Sequence, residues 1–282
     1  YKMTKFPPFI RLITYDPKRD PTKLKVRVPI SRRKKLIKGM IAEFLGTMFL
    51  IFFVCGSVMT ALYPANGDKA AVIFLIATIQ GLALAALIWS IAGISGCNLN
   101  PAITVANLFS GCIGFLNALG YIAAQVAGAI AGAGIIKACI PWPYQQSLGN
   151  VMLGPHVSTG HGFLFEMVAT AFLCMIVLGT SIFNTWDLKI TRIAPFAIGM
   201  ALFVGVAIAW PFTGGCLNPV RSLGPSIVGG NWHSHWIYWL GPITGAIIAA
   251  FVFRVLLRER FDVIDNPSYI APDLTKLKAS RT

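Results

Sequence analysis

Charge is scarce through most of this sequence. Between residues 39 and 253 there are only five lysines and arginines, and the whole chain holds just ten acidic residues. Charged residues make up 12% of the 282 and apolar residues 56%, against about 25% charged in an ordinary soluble domain. That excludes a disordered chain and a cytosolic enzyme, and points to a polytopic membrane protein. The six cysteines, at 55, 97, 112, 139, 174 and 216, form no CxxC pair. The thiols read as small buried hydrophobes that set no redox compartment, and the composition excludes a disulfide scaffold. No nucleophile–base pair and no metal-spaced ligand set occurs, so neither an enzyme, a cofactor nor a metal is expected. Residues 1–38 lack an apolar signal-peptide core, which leaves the first apolar span to direct insertion.

Positive charge is present, but at the ends. Of the 24 basic residues, 13 lie in 1–38 and six in 254–282. A nucleic-acid groove would interleave such charges with aromatics; basic ends on an apolar body instead suit tails near anionic membrane lipid. Nucleic acid is not an expected partner. The cluster Arg32-Arg33-Lys34-Lys35 is the densest part of that charge.

A crossing helix needs about 20 apolar residues. Six candidates are found, roughly 40–62, 71–93, 113–136, 162–183, 193–211 and 235–257. Two further apolar stretches, near 98–110 and 216–228, are too short to cross and contain Asn-Pro. They read as half-helices that enter and return. Six spans put both termini on one side. With the tails inside, 21 basic residues fall inside and only Lys69, Lys137 and Arg221 outside, so cytoplasmic termini are expected.

The two halves repeat. Ser95 to Ala102 aligns with Thr213 to Val220 at an offset of 118 residues. Gly81 and Gly199 each stand 19 residues before the motif asparagine. Glu43 with Thr47 matches Glu166 with Thr170, and Tyr121 with Gly128 matches Tyr238 with Gly245. Three spans per half invert one half against the other, which places a site at their interface near mid-membrane. The expected organisation is a basic tail (1–38), a first repeat (39–138), an external connecting loop (139–161), a second repeat (162–257) and a cytoplasmic tail (258–282).

Each asparagine is an expected N-cap and each proline an expected first-turn residue. With the amide oxygen held by backbone N–H groups, the amide NH₂ of Asn100 and of Asn218 is free to face a pore. Both half-helix N-termini add positive potential there. Glu43 and Glu166 are costly inside a membrane; the repeat favours carboxylates that accept hydrogen bonds from the re-entrant loops over a proton relay. Gly120, Gly128, Gly132, Gly134, Gly241 and Gly245 suit close helix crossings. Trp232, Trp236, Tyr238 and Trp239 suit an interfacial belt, and the four histidines solvated interface positions.

On these residues the chain resembles the aquaporin, or major intrinsic protein, family. Asn100-Pro101-Ala102 resembles its first signature triplet, and Asn218-Pro219-Val220 its second, with valine where alanine is usual. The resemblance covers residues 40–257. It implies an all-α membrane fold, with six transmembrane helices and two re-entrant half-helices in an inverted repeat. It also implies a homotetramer with one pore per subunit. By offset it assigns an outer filter of Gln80, Val206, Gly215 and Arg221, where water-selective members usually have an aromatic first and a histidine second. Such a ring is expected to be wide. Ser222, Ser226 and Tyr238-Trp239 depart from the polyol-facilitator pattern. The functional expectation is a passive water channel that excludes protons and ions and also passes hydrogen peroxide, ammonia or glycerol. A polyol and urea facilitator and an inverted-repeat secondary transporter remain alternatives. Tyr15, in the long N-terminal tail, is a candidate for pore gating.

Overall fold

A computed structural model describes residues 31–63, 68–183 and 188–257, with the side chains of 182–191 left aside. Tyr15 lies outside the described residues. The elements are α1 (Arg32–Leu62), α2 (Lys69–Ser95), α3 (Pro101–Phe109), α4 (Phe115–Cys139), α5 (Thr159–Val177), α6 (Leu188–Thr213), α7 (Pro219–Gly229) and α8 (Ile237–Phe251). Helices α5 and α8 each run on into one π-helical stretch, Leu178–Phe183 and Val252–Leu257. Six helices are long and apolar enough to cross a membrane; α3 and α7, of 9 and 11 residues, are not. Among the described residues the fold is all-α, as the sequence predicts.

Helix α1 starts at Arg32, eight residues before the apolar span expected from 40. The Ser31 hydroxyl caps it, accepting from the Lys34 N–H at 3.4 Å. Its 31 residues measure roughly 46 Å at 1.5 Å per residue, against about 30 Å of hydrocarbon. The basic first turns therefore stand outside the apolar layer as ordered helix.

Small residues set the helix crossings. A Cβ at Gly128 would strike the Phe44 carbonyl, and one at Gly132 the Met48 carbonyl, so α1 and α4 touch backbone to backbone. Gly245 does the same against Met167 of α5. Gly81 and Gly199 face each other: a Cβ on either would lie 2.5–2.6 Å from the other's carbonyl oxygen. The two glycines in matching repeat positions thus form the α2–α6 crossing where the halves meet. Gly134 has no atom within 4 Å of such a Cβ, so the expected crossing role falls away there. Gly245→Val forces backbone apart rather than a side chain aside. It is expected to cost at least the 1–3 kcal/mol typical of overpacking, read as a lowered Tm in detergent, while a valine at Gly134 leaves Tm within experimental scatter.

Each half-helix is held by the opposite half. Gly224 of α7 lies on Ala129 of α4. The Lys137 ammonium of α4 donates to the Val228 carbonyl at the end of α7 at 2.9 Å. The Arg254 guanidinium, 117 residues on, donates to the Phe109 carbonyl at the end of α3 at 2.9 Å. Cations there satisfy orphan carbonyls and offset the negative ends of the half-helix dipoles.

Candidate functional site

The loops before α3 and α7 are built alike, atom by atom. The Glu43 Oε1 atom accepts from the Asn98 N–H at 2.9 Å and the Ser95 hydroxyl at 2.6 Å; its Oε2 accepts from the Leu99 N–H at 2.8 Å. The Glu166 Oε1 atom accepts from the Cys216 N–H at 3.0 Å and the Thr213 hydroxyl at 2.6 Å; its Oε2 accepts from the Leu217 N–H at 2.8 Å. Both carboxylates are fully buried. Leu99 and Leu217 sit at φ 53° and 52°, a left-handed backbone that disfavours side chains by roughly 1–2 kcal/mol. The carboxylates hold those residues in place.

Sequence reasoning missed Ser95 and Thr213 as carboxylate partners, although both fall inside the aligned octets. It also missed Gln125, whose amide donates to Glu43 Oε2 at 2.7 Å and to the Thr104 hydroxyl at 2.9 Å. No repeat signal pointed to Gln125, because the position 117 residues on is Pro242. The belt reading fails at Tyr238. This side chain is buried and its hydroxyl donates to the Thr213 carbonyl at 2.9 Å. Trp232 and Trp236 are exposed as a belt requires. His235 is not a simple solvated residue: it accepts from the Trp239 indole at 3.1 Å and lies 3.3 Å from the Ser226 hydroxyl. Burial pushes its pKa down. Cys112 and Cys139 are exposed, whereas the other four cysteines are buried as expected.

Asn100 and Asn218 cap α3 and α7. Their amide oxygens accept from the Ala102 N–H at 2.8 Å and the Val220 N–H at 3.1 Å, and Pro101 and Pro219 occupy the first helical positions. One N–H of each amide crosses to the other half: Asn100 donates to the Leu217 carbonyl at 2.8 Å, Asn218 to the Leu99 carbonyl at 3.0 Å. An amide has two N–H donors, so each keeps one. The two asparagines line one narrow cavity of about 20 Å³; a water needs roughly 10–15 Å³ on this scale.

The remaining cavity wall is mostly apolar, with Leu50, Val54, Leu84, Ile103, Leu173 and Leu202. Polar groups are supplied by Asn98, Gln80, Arg221 and the Cys216 thiol. No carboxylate among the described residues lines it. Arg221 is 2% exposed; its Nη1 faces the Cys55 sulfur at 3.9 Å, while Nε and Nη2 have no protein acceptor. The Gln80 Nε2 atom also lacks one. Buried donors left unpaired cost about 1–3 kcal/mol each, so a molecule that can accept hydrogen bonds is favoured beside them.

Of the four filter positions assigned by offset, the structure brings Gln80 and Arg221 to the cavity. Val206 and Gly215 are absent from its lining. They pack on each other: a Cβ at Gly215 would lie 2.9 Å from the Val206 Cα, and Val206 is fully buried. Val220, the departure in the second triplet, turns its methyls into a cluster with Ile51, Cys55 and Ala133 and does not line the cavity. Ala102 is likewise in the core.

Residues 30–253 match the family model described as Major intrinsic protein. Aquaporin A of Dictyostelium discoideum is 58% identical over 263 residues, which cover 93% of this chain and 94% of that protein. Human Aquaporin-1 is 35% identical over 231 residues, 81% of this chain and 85% of that protein. Among solved structures, the aquaglyceroporin from Plasmodium falciparum superposes with a TM-score of 0.66 at 22% identity, covering 79% of this chain and 97% of that one. This last likeness is one of fold.

Proposed function

The chain belongs to the major intrinsic protein family, the aquaporins, and on that premise we propose that it is a passive water pore that excludes protons and ions. The observation that carries this reading is the arrangement of donors. Two half-helix caps each keep one amide N–H beside a one-water cavity, and Arg221 adds donors to a wall that no carboxylate among the described residues lines. Water passing Asn100 and Asn218 is held by its oxygen, with its hydrogens turned away from both caps. A chain of waters so oriented cannot pass a proton along it, and the two positive helix ends oppose a cation at the same point.

Glu43 and Glu166 serve as scaffolds in this reading. All their partners are donors and neither lines the cavity, which disfavours the transporter alternative. The proposal includes cytoplasmic termini, supported by the basic asymmetry. It also includes assembly as a homotetramer in lipid, for which exposed apolar side chains such as Phe49, Phe53, Val204 and Ile208 leave suitable faces.

Solute range follows from shape. Val206 packs against Gly215 and neither lines the cavity, which supports a filter narrower than the residue types alone suggest. An apolar wall opposite Gln80 and Arg221 suits a small solute with one polar edge. Hydrogen peroxide and ammonia are therefore proposed to follow water, with glycerol slower. Stopped-flow light scattering on proteoliposomes tests this. Water flux well above that of empty vesicles is expected, with peroxide entry at least tenfold faster than glycerol entry. Glycerol flux equal to that of water overturns the narrow-pore reading in favour of a polyol facilitator, and absent water flux overturns the channel.

A further inference from the structure

We propose that the foot of α1 is a binding site for one anionic phospholipid, with its acyl chain in a groove and its phosphate on Arg33, Lys34 and Lys38. This goes beyond the pore and involves none of its lining residues. An apolar groove of about 470 Å³ is formed by Ile37, Met40, Ile41, Phe44 and Leu45 of α1 with Ala124 of α4, and no polar surface lines it. It runs along nine residues of helix, Ile37 to Leu45, roughly 12 Å. Arg33 and Lys34 stand four and three positions before Ile37, and Lys38 stands three before Ile41. Residues at these spacings share one helix face, so Arg33 and Lys34 sit just beyond the groove's N-terminal end and Lys38 lies beside that end.

Those cations are exposed and form no ion pair among the described residues. Ser31 starts the helix here, so its positive end adds to the same field. Because α1 is longer than the hydrocarbon layer, the groove lies in the apolar region and the cations at headgroup depth. A molecule with an alkyl chain and an anionic head a few ångströms away matches this order.

Charge decides between occupants. A second copy of this chain would need an acid opposite the cluster. Among the described residues only Glu43, Asp68 and Glu166 are acidic: the two glutamates are buried, and Asp68 caps the far helix end of α2. Residues 1–30 carry eight basic and two acidic residues, so the cluster repels them.

The test is native mass spectrometry of the full chain in detergent, titrated with phosphatidylserine or with phosphatidylcholine of the same acyl chains. One phosphatidylserine per subunit is expected at concentrations where phosphatidylcholine does not bind. At roughly fivefold per cation, from about 1 kcal/mol each, the triple variant Arg33→Gln, Lys34→Gln, Lys38→Gln loses about 100-fold for phosphatidylserine. Ala124→Phe, which fills the groove, is expected to lower affinity for both lipids, and Ile41→Asn gives the same reading should the first variant fail to fold. Unaltered water flux in proteoliposomes checks the fold of each. Several loosely held anionic lipids that respond to the charge variant alone overturn the site in favour of diffuse attraction. A groove variant that changes the oligomeric state but not the lipid count makes the groove a subunit interface. Lipid that binds only after residues 1–30 are removed makes that segment the occupant. Either result overturns the proposal.

Discussion

Arg221→Val is expected to open the pore to cations while water still passes. Among the described residues Arg221 is the only charged side chain lining the cavity, and the narrow apolar wall leaves little solvent to screen it. A unit charge about 4 Å away opposes a cation by about 4 kcal/mol at an effective dielectric near 20. Since 1.36 kcal/mol is a factor of ten, its removal raises cation permeation by up to about three orders of magnitude. The half-helix ends remain and keep part of the barrier, so a rise of ten- to a thousandfold in proton flux is the practical expectation. Proteoliposomes loaded with a pH-sensitive dye read this directly, with shrinkage kinetics as the water control. A variant with wild-type proton exclusion and normal water flux shows that the helix ends suffice and that Arg221 serves only solute binding. Wild-type protein that conducts protons freely overturns the electrostatic barrier altogether.

Glu166→Leu is expected to be more damaging to the fold than any change in the cavity wall. The Cys216 and Leu217 N–H groups lose their acceptor in a buried loop. Each orphaned donor costs about 1–3 kcal/mol. The Leu217 bond is also the one that holds its left-handed backbone. The sum for the two donors, about 2–6 kcal/mol, is comparable to the whole stability margin of many domains. Thr213 is less affected, because its hydroxyl has the Ala209 carbonyl as a second acceptor at 3.4 Å. The expected result is aggregation on extraction or a strongly lowered Tm. Glu166→Gln keeps one acceptor oxygen and is expected to fall between the variant and the wild type. The Glu43→Leu variant is expected to be at least as damaging, because Gln125 and Ser95 lose a partner too. A proton relay gives the opposite signature: an unchanged Tm with altered pH dependence of transport.

The paired structure of both loops was legible because inverted repeats leave the same residue types at one offset. Asn100 and Asn218, Glu43 and Glu166, and Gly81 and Gly199 could be matched before any coordinates, and the fold class followed from six apolar spans and two short interrupted ones. Lys137 and Arg254 stand at the same offset of 117, yet a lysine and an arginine near helix ends look like interface cations unless the half-helix termini beside them are known. Tyr238 was misread for a related reason: an aromatic next to Trp236 and Trp239 has belt composition, and only its direction shows that it points inward to the Thr213 carbonyl.

Sequence by itself determined the element order, the caps and the scaffold carboxylates, because these depend on local chain chemistry and on a periodicity of one chain with itself. Tertiary structure alone decided which of the four filter positions reach the cavity. Residue types at Gln80, Val206, Gly215 and Arg221 suggested an open ring, but a glycine also lets backbones approach. The backbone at Gly215 lies against Val206, where a Cβ would come within 2.9 Å of the Val206 Cα. Whether small residues leave a hole or a close contact depends on how far neighbouring helices can approach. That distance is set by the backbone crossings at Gly81, Gly128, Gly199 and Gly245, none of which lines the cavity.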